Sequence, residues 1–249
     1  MRRAVLLDAH GTLLELESPA PLLQRVLAER HGIAIELGDA DRALRIEIAY
    51  YRAHMHEGTN ADTVRALRSR CAEELRRALV PAAPAAAKLS SVEMTDALLG
   101  SLVFTAFPDV GPALEKIRAA GARTVVVSNW DSSLEQVLVE LGLRAELDAV
   151  VSSGAYGAAK PAPAIFAEAL RRVGARPEEA VHVGDSLEED VAGARSAGIE
   201  PLLLVRSRPD EASDRRGRGP DGIRTITSLA DVVELIAESA PAPVGPTRP

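Results

Sequence analysis

The sequence predicts an α/β protein: a doubly wound, Rossmann-like parallel sheet core with an inserted all-helical cap domain. Three observations predict it. Five short runs are mainly apolar rather than alternating, the pattern of parallel strands covered on both faces. They are AVLLD (4–8), TVVVS (124–128), AVVSS (149–153), AVHVG (180–184) and PLLLV (201–205). Helical patterns separate the later runs, and strand alternating with helix gives a parallel sheet. Residues from about 16 to 104 hold no such run and carry helical spacing instead. The expected organisation is therefore an α/β core over 1–15 and 105–239, a helical cap over 16–104, and a Pro-rich, disordered tail over 240–249.

In chain order, the first run ends on Asp8 and is followed by His10, Gly11 and Thr12. PLLQRVLAERHG (21–32) reads as a helix. In 62–79, Val64, Leu67, Cys71, Leu75 and Leu79 recur every three or four residues, one helical stripe that puts Cys71 in a core. VPAAPAAAK (80–88) reads as a turn or linker. GPALEKIRAAG precedes the second strand and stops at Gly121. DSSLEQVLVELG follows it, with Asp131, Ser132 or Ser133 as N-cap and Gly142 as the stop. APAIFAEALRRVG and EEDVAGARSAG repeat the theme, and SLADVVELIAES closes the fold with Ser228 at its cap. The Arg-rich stretch RSRPDEASDRRGRG also carries acids, which makes it a solvated loop rather than a phosphate patch.

Composition narrows the function classes. The chain has 249 residues, 47% hydrophobic and 26% charged, enough for a full core; aromatics are 3%, so that core is aliphatic. A net charge of -7 argues against a nucleic-acid partner, which asks for a positive surface. One cysteine rules out an internal disulfide. The apolar run at the start is short and broken by Asp8, and no run approaches a membrane span, so the expectation is a cytoplasmic protein with no membrane partner.

The functional argument comes from position. Asp8 closes the first strand, Ser128 the second, Lys160 lies in the loop after the third, and Asp185 directly follows the fourth. In open parallel sheets, ligands bind outside the carboxyl ends of the strands, so these four groups converge on one edge. Two carboxylates suit a hard cation such as Mg²⁺, which keeps places for water and a substrate phosphate. A lysine and a hydroxyl can hold the remaining phosphate oxygens, and a carboxylate can itself be the nucleophile.

The motifs resemble those of the haloacid dehalogenase-like hydrolases, four of them in order: LLDAHGTLL, VVVSN, KPAPAIF and VGDSLEEDVAGARSAGI. The wording is most similar to the phosphatase-like branch with a helical cap after the first motif. The resemblance implies Asp8 as nucleophile and Mg²⁺ ligand, with the His10 backbone carbonyl and Asp185 as further ligands. It implies that Thr12, Ser128, Asn129 and Lys160 bind the transferring group, that Gly11 and Thr12 shape the turn, and that Asp190 supports the metal or Lys160. The implied substrate is a small phosphorylated metabolite, hydrolysed through an aspartyl-phosphate.

His10 departs from that pattern. Phosphatases of the family carry Asp there as the acid–base group, and dehalogenases carry Tyr. Imidazole can do acid–base work near neutral pH. Beside Mg²⁺ and Lys160 it would be neutral, a fair base and a poor acid. The alternatives are attack on a carbon–halogen bond and a fold-retaining protein of little turnover; against the former, dehalogenases need no metal and usually have Gly where this chain has Trp130. Among other polar residues, Asp131 reads as a helix cap and His182 as a structural mid-strand residue. Trp130 packs under the cap or lines the pocket mouth. His54 and His56 are two apart, do not share a helix face, and read as solvated or packing groups.

Overall fold

The computed structural model describes residues 3–206, 217–218 and 222–238. The Arg-rich stretch 207–216 and the Pro-rich tail 240–249 lie outside them. The elements run β1 (Ala4–Leu7), β2 (Leu14–Leu16), α1 (Pro19–His31), α2 (Leu37–His54), α3 (Ala61–Leu79), α4 (Ser91–Ser101), β3 (Phe104–Ala106) and α5 (Val110–Ala119). They continue β4 (Arg123–Ser128), α6 (Leu134–Glu140), β5 (Ala149–Ser152), α7 (Ser153–Tyr156), α8 (Pro163–Val173) and β6 (Ala180–Gly184). A π-helical turn, Leu187–Ala192, leads into α9 (Gly193–Ser196), followed by β7 (Glu200–Leu204), β8 (Gly217–Arg218), β9 (Arg224–Ile226) and α10 (Ala230–Glu238).

The sheet order is β5-β4-β1-β6-β7-β9-β8. The pairings from β5 through β9 are parallel, and β8 adds an antiparallel edge. Sequence leads from β1 outward through β4 to β5, then back across to β6 and outward through β7, so the sheet is doubly wound about β1 and β6. Alternation sorts the side chains between the two faces. Val5 and Leu7 pack with Leu114 of α5, Leu134 of α6 and Val232 of α10. Ala4 and Leu6 pack on the other face with Ile165, Phe166 and Ala169 of α8. Both faces being covered is why these strands read as mainly apolar runs without alternation.

Helices α1–α4 have a core of their own, built from Leu23, Leu27, Leu44, Leu67, Leu75 and Met94 among others. The whole α3 stripe, Cys71 included, is buried in it or at its margin. Asn60 starts α3 by accepting from the Asp62 and Thr63 amides at 3.0 and 3.1 Å, which satisfies donors a helix start leaves unpaired. The two chain crossings into the helical unit form an antiparallel ribbon, with Leu14 opposite Ala106 and Leu16 opposite Phe104. Strands of three residues are too short to announce themselves by periodicity. The unit is also pinned to the loop after β4. Ser132 N donates to Gly58 O at 2.7 Å, and Tyr51 Oη donates to Asp131 Oδ2 at 3.2 Å.

One expectation needs correction, and one strand was missed. EEDVAGARSAG was expected as one helix and is instead a π-helical turn running into the single turn α9. The wider turn lets Asp190 aim inward, as such bulges often do at functional sites. β9, with RTI as its whole sequence, completes the parallel set and was not expected.

Candidate active site

β1 and β6 are neighbours whose onward connections leave to opposite sides, so a crevice opens at their carboxyl ends. Asp8 sits there. Its backbone N–H still donates to Val183 O at 2.9 Å, which keeps the main chain in the sheet while the carboxylate leaves its edge. The turn that follows is tight, with Leu13 N and Leu14 N both donating to Ala9 O at 2.8 Å. Gly11 stands in the left-handed region with φ of +77°, and a Cβ on it would lie 2.1 Å from Asp185 Oδ2. Only glycine lets that turn close against Asp185.

Lys160 lies between α7 and α8, and its side chain is 1% exposed. Nζ donates to Asp8 Oδ1 at 2.6 Å and to Asp190 Oδ1 at 2.5 Å. Asp190 Oδ1 also accepts from His182 Nε2 at 2.9 Å, and Asp190 Oδ2 accepts from Ser186 N at 3.0 Å. A Cβ on Gly184 would lie 2.1 Å from Asp190 Cγ, so the bare glycine gives that carboxylate its seat on β6. Asn129 spends both ends of its amide on the Lys160 main chain, accepting from N at 2.7 Å and donating to O at 3.0 Å.

The charges follow this geometry. Burial alone would raise the Asp190 carboxyl, but the bonds from His182 and Lys160 outweigh it and hold it well below the usual carboxylate range. Burial pulls Lys160 down, and the charges of Asp8 and Asp190 more than offset this, leaving its ammonium above the ordinary lysine value. Asp185 has no ion-pair partner among the described residues. Its carboxyl is pushed up to about 6, first by desolvation and then by the negative charges of Asp8 and Asp190. His10 is lowered, chiefly by desolvation; Asp8 opposes the shift and Arg52 of α2 adds to it.

Oxygens of Asp8, Asp185 and Asp190 all lie within 4.8 Å of one another. Lys160 alone neutralises only part of that charge. The donor set is entirely oxygen, and Asp185 stands beside two further carboxylates without an ion pair of its own among the described residues. These residues fit a hard divalent cation. Asp190 has both oxygens committed to protein donors, so Asp8 and Asp185 are the carboxylates open to a metal.

The remaining expected residues fall as follows. Ser128 closes β4 beside Ser152 and is buried. Thr12 is fully buried, and its Oγ1 has no partner among the described residues. His10 stands at the rim of the crevice, partly open to solvent and partly shielded. Trp130 packs on Phe104 of β3, ring centroids 5.0 Å apart. Asp131 caps Ser133 N at 2.8 Å, and the Tyr51 contact from the helical unit was not foreseen. His54 stacks on Tyr50 at 4.0 Å and donates from Nδ1 to Tyr50 O, a packing role. Sequence reasoning missed the tie between His182 and Asp190. Its signal was a polar residue on an otherwise apolar strand covered on both faces.

Comparison with known proteins gives a consistent picture. A family model described as haloacid dehalogenase-like hydrolase matches residues 2–198. The chain is 31% identical over 241 residues to mouse haloacid dehalogenase-like hydrolase domain-containing protein 3, covering 94% of each chain. It is 36% identical over 143 residues to a glyceraldehyde 3-phosphate phosphatase of Methanopyrus kandleri, covering 53% of this chain and 58% of that one. Among solved structures, a phosphatase from Thermococcus onnurineus superposes with a TM-score of 0.61 at 24% identity, covering 94% of this chain and 97% of that one. The L-2-haloacid dehalogenase of Xanthobacter autotrophicus gives 0.67 at 20% identity, covering 96% and 100%. At these identities the structural likeness is one of fold.

Proposed function

The chain belongs to the haloacid dehalogenase-like hydrolase family, and on that premise we propose that it is a phosphatase for a small phosphorylated metabolite, with Asp8 as nucleophile and Mg²⁺ as cofactor. The observation that carries this reading is the buried Asp8–Lys160–Asp190 chain beside an unpaired Asp185. It supplies a nucleophile, a fixed ammonium and a carboxylate suited to a hard cation on one sheet edge. Similarity to the M. kandleri phosphatase supports the phosphate ester as substrate.

In this reading Lys160 fixes Asp8 Oδ1, and the other carboxylate oxygen attacks phosphorus. The P–O bond to the leaving group breaks as the bond to Asp8 forms, and the alkoxide takes a proton. Water then attacks the phosphorus of the aspartyl-phosphate, phosphate departs, and Asp8 is regenerated. The Lys160 ammonium stabilises charge on the transferring oxygens. His10, with its pKa below the ordinary 6.5, acts as a base toward the water and as a weak acid toward the leaving oxygen. Mg²⁺, held by Asp8, Asp185 and the His10 carbonyl, would supply charge neutralisation at the phosphoryl group. Asn129 positions Lys160, and Ser128 contacts the transferring group. The helical unit over 16–104 acts as the cap that selects the substrate.

The test is phosphate release from 4-nitrophenyl phosphate and a panel of sugar and triose phosphates, with and without Mg²⁺. Wild type should turn over in Mg²⁺ alone. Asp8→Asn should be inactive, because an amide is a poor nucleophile and a poor Mg²⁺ ligand. Wild-type activity in Asp8→Asn would refute the covalent mechanism, and metal-independent halide release from a 2-haloacid would replace the phosphatase reading.

A further inference from the structure

We propose that His182 is a positioning residue for the Asp8–Lys160 pair, acting through Asp190. It deepens the phosphatase reading and rests on it for its kinetic consequence, while its structural claim stands on geometry.

His182 lies in the middle of β6 and is fully buried. It shares a face with Gly184, and its ring meets Phe166 edge-on at 5.0 Å. An aliphatic side chain would suit that apolar position, whereas a polar ring there costs free energy unless it is bonded. Only one of its nitrogens is bonded. Nε2 donates to Asp190 Oδ1, and Nδ1 has no partner among the described residues. The hydrogen therefore sits on Nε2, because its partner is a carboxylate. The bond to Asp190 is the imidazole's whole polar function.

That bond completes a set of three donors around Asp190. Lys160 Nζ and His182 Nε2 meet Oδ1, and Ser186 N meets Oδ2. The missing Cβ of Gly184 lets the carboxylate settle against β6. Its rotation is thus fixed from three directions. Lys160 in turn has three N–H donors. Two go to Asp8 and Asp190, and their directions set where the third points. Without His182, Oδ1 keeps only the Lys160 bond. Asp190 and Lys160 can then move as a pair, taking the third N–H off the transferring group and loosening Asp8 Oδ1. The loss falls on the reacting geometry rather than on substrate capture.

The test uses the full chain with Mg²⁺ and 4-nitrophenyl phosphate. His182→Leu should lower kcat about 10–100-fold with KM little changed, the size seen when a supporting partner is removed, and His182→Gln should recover most of it because its amide donor reaches as far as Nε2. In an Asp190→Asn background His182→Leu should cost nothing further, since residues acting as a unit are non-additive. Equal loss in the Leu and Gln variants, a silent Leu variant, or full additivity with Asp190→Asn would each overturn the proposal. A second readout needs no turnover. The lysines of the chain are Lys88, Lys116 and Lys160, and only Lys160 is buried, so its ammonium ¹H–¹⁵N signal is the one protected from exchange. That signal should shift or broaden in His182→Leu and return in His182→Gln. An unmoved signal overturns the proposal. A moved signal with no phosphate release by wild type keeps it and overturns the phosphatase reading instead. If the Leu variant does not fold, His182→Asn, too short to reach Asp190, takes its place beside Gln.

Discussion

Replacing Lys160 by Met tests the electrostatics of the site directly. The two side chains are similar in reach, so packing changes little and the charge is what leaves. Lys160 bonds Asp8 and Asp190, whose side chains are 8% and 2% exposed, and Asp185 stands within the same cluster. Removing one partner of a buried ion pair costs about 3–5 kcal/mol, because the other charge stays buried without compensation. That is the loss expected at pH 7 in urea denaturation with EDTA present, read by linear extrapolation. The sign of the pH dependence also follows. In wild type the Asp190 carboxyl is held below its ordinary 3.8, so its stabilisation is fully present above that value. In Lys160→Met, Asp190 and Asp185 lose the cation that lowers them and should bind protons above 3.8 in the folded state. An acid raised in this way destabilises more as pH rises, so the gap between the proteins should narrow from pH 7 toward pH 4. Adding Mg²⁺ at pH 7 should narrow it as well. Wild-type stability in the variant, or a gap indifferent to pH, would refute the view that these carboxylates depend on Lys160.

Glu47 is buried in the helical unit, and desolvation pushes its carboxyl up to about 7 despite a hydrogen bond with Cys71. At about 1.4 kcal/mol per pH unit, raising it from 4.5 is worth up to about 3 kcal/mol of stability lost between pH 4.5 and 7. Glu47→Gln should therefore leave stability near wild type at pH 5 and raise it at pH 8, and denaturation midpoints that change equally at both pH values would contradict this. His10→Asp should raise kcat for alkyl phosphates more than for aryl phosphates, within the roughly 10²–10⁴-fold that a placed acid–base group contributes. A fall in alkyl phosphatase activity with Mg²⁺ saturating would make His10 itself the working group.

Much of the sheet was legible because its information is local. A strand covered on both faces is apolar at most positions instead of at every second one, and β1, β4, β5, β6 and β7 each declared themselves in this way. Asp8 and Asp185 were legible for the same reason, as charges standing where an apolar run stops. The ribbon β2–β3 and strand β9 were not, since three residues cannot show a period. The α3 stripe was clear, but the face it meets is set by α2 and α4, which sequence spacing does not name.

What sequence could not supply is the order of the polar contacts within the crevice. Lys160 and Asp8 are 152 positions apart, and Asn129 and Lys160 are 31 apart. Nothing in either neighbourhood says that the Asn129 amide holds the Lys160 main chain, and the family pattern alone suggested a substrate contact. His182 is closer to its partner, eight positions from Asp190, yet the link depends on the π-helical turn that swings Asp190 back over β6. The bulge, the bare Gly184 and the buried imidazole form one arrangement, and each makes sense only with the other two. A mid-strand histidine two residues before such a glycine, with an acid six residues beyond it, is thus a local pattern with a physical reason to recur where a lysine–carboxylate pair must be held in register.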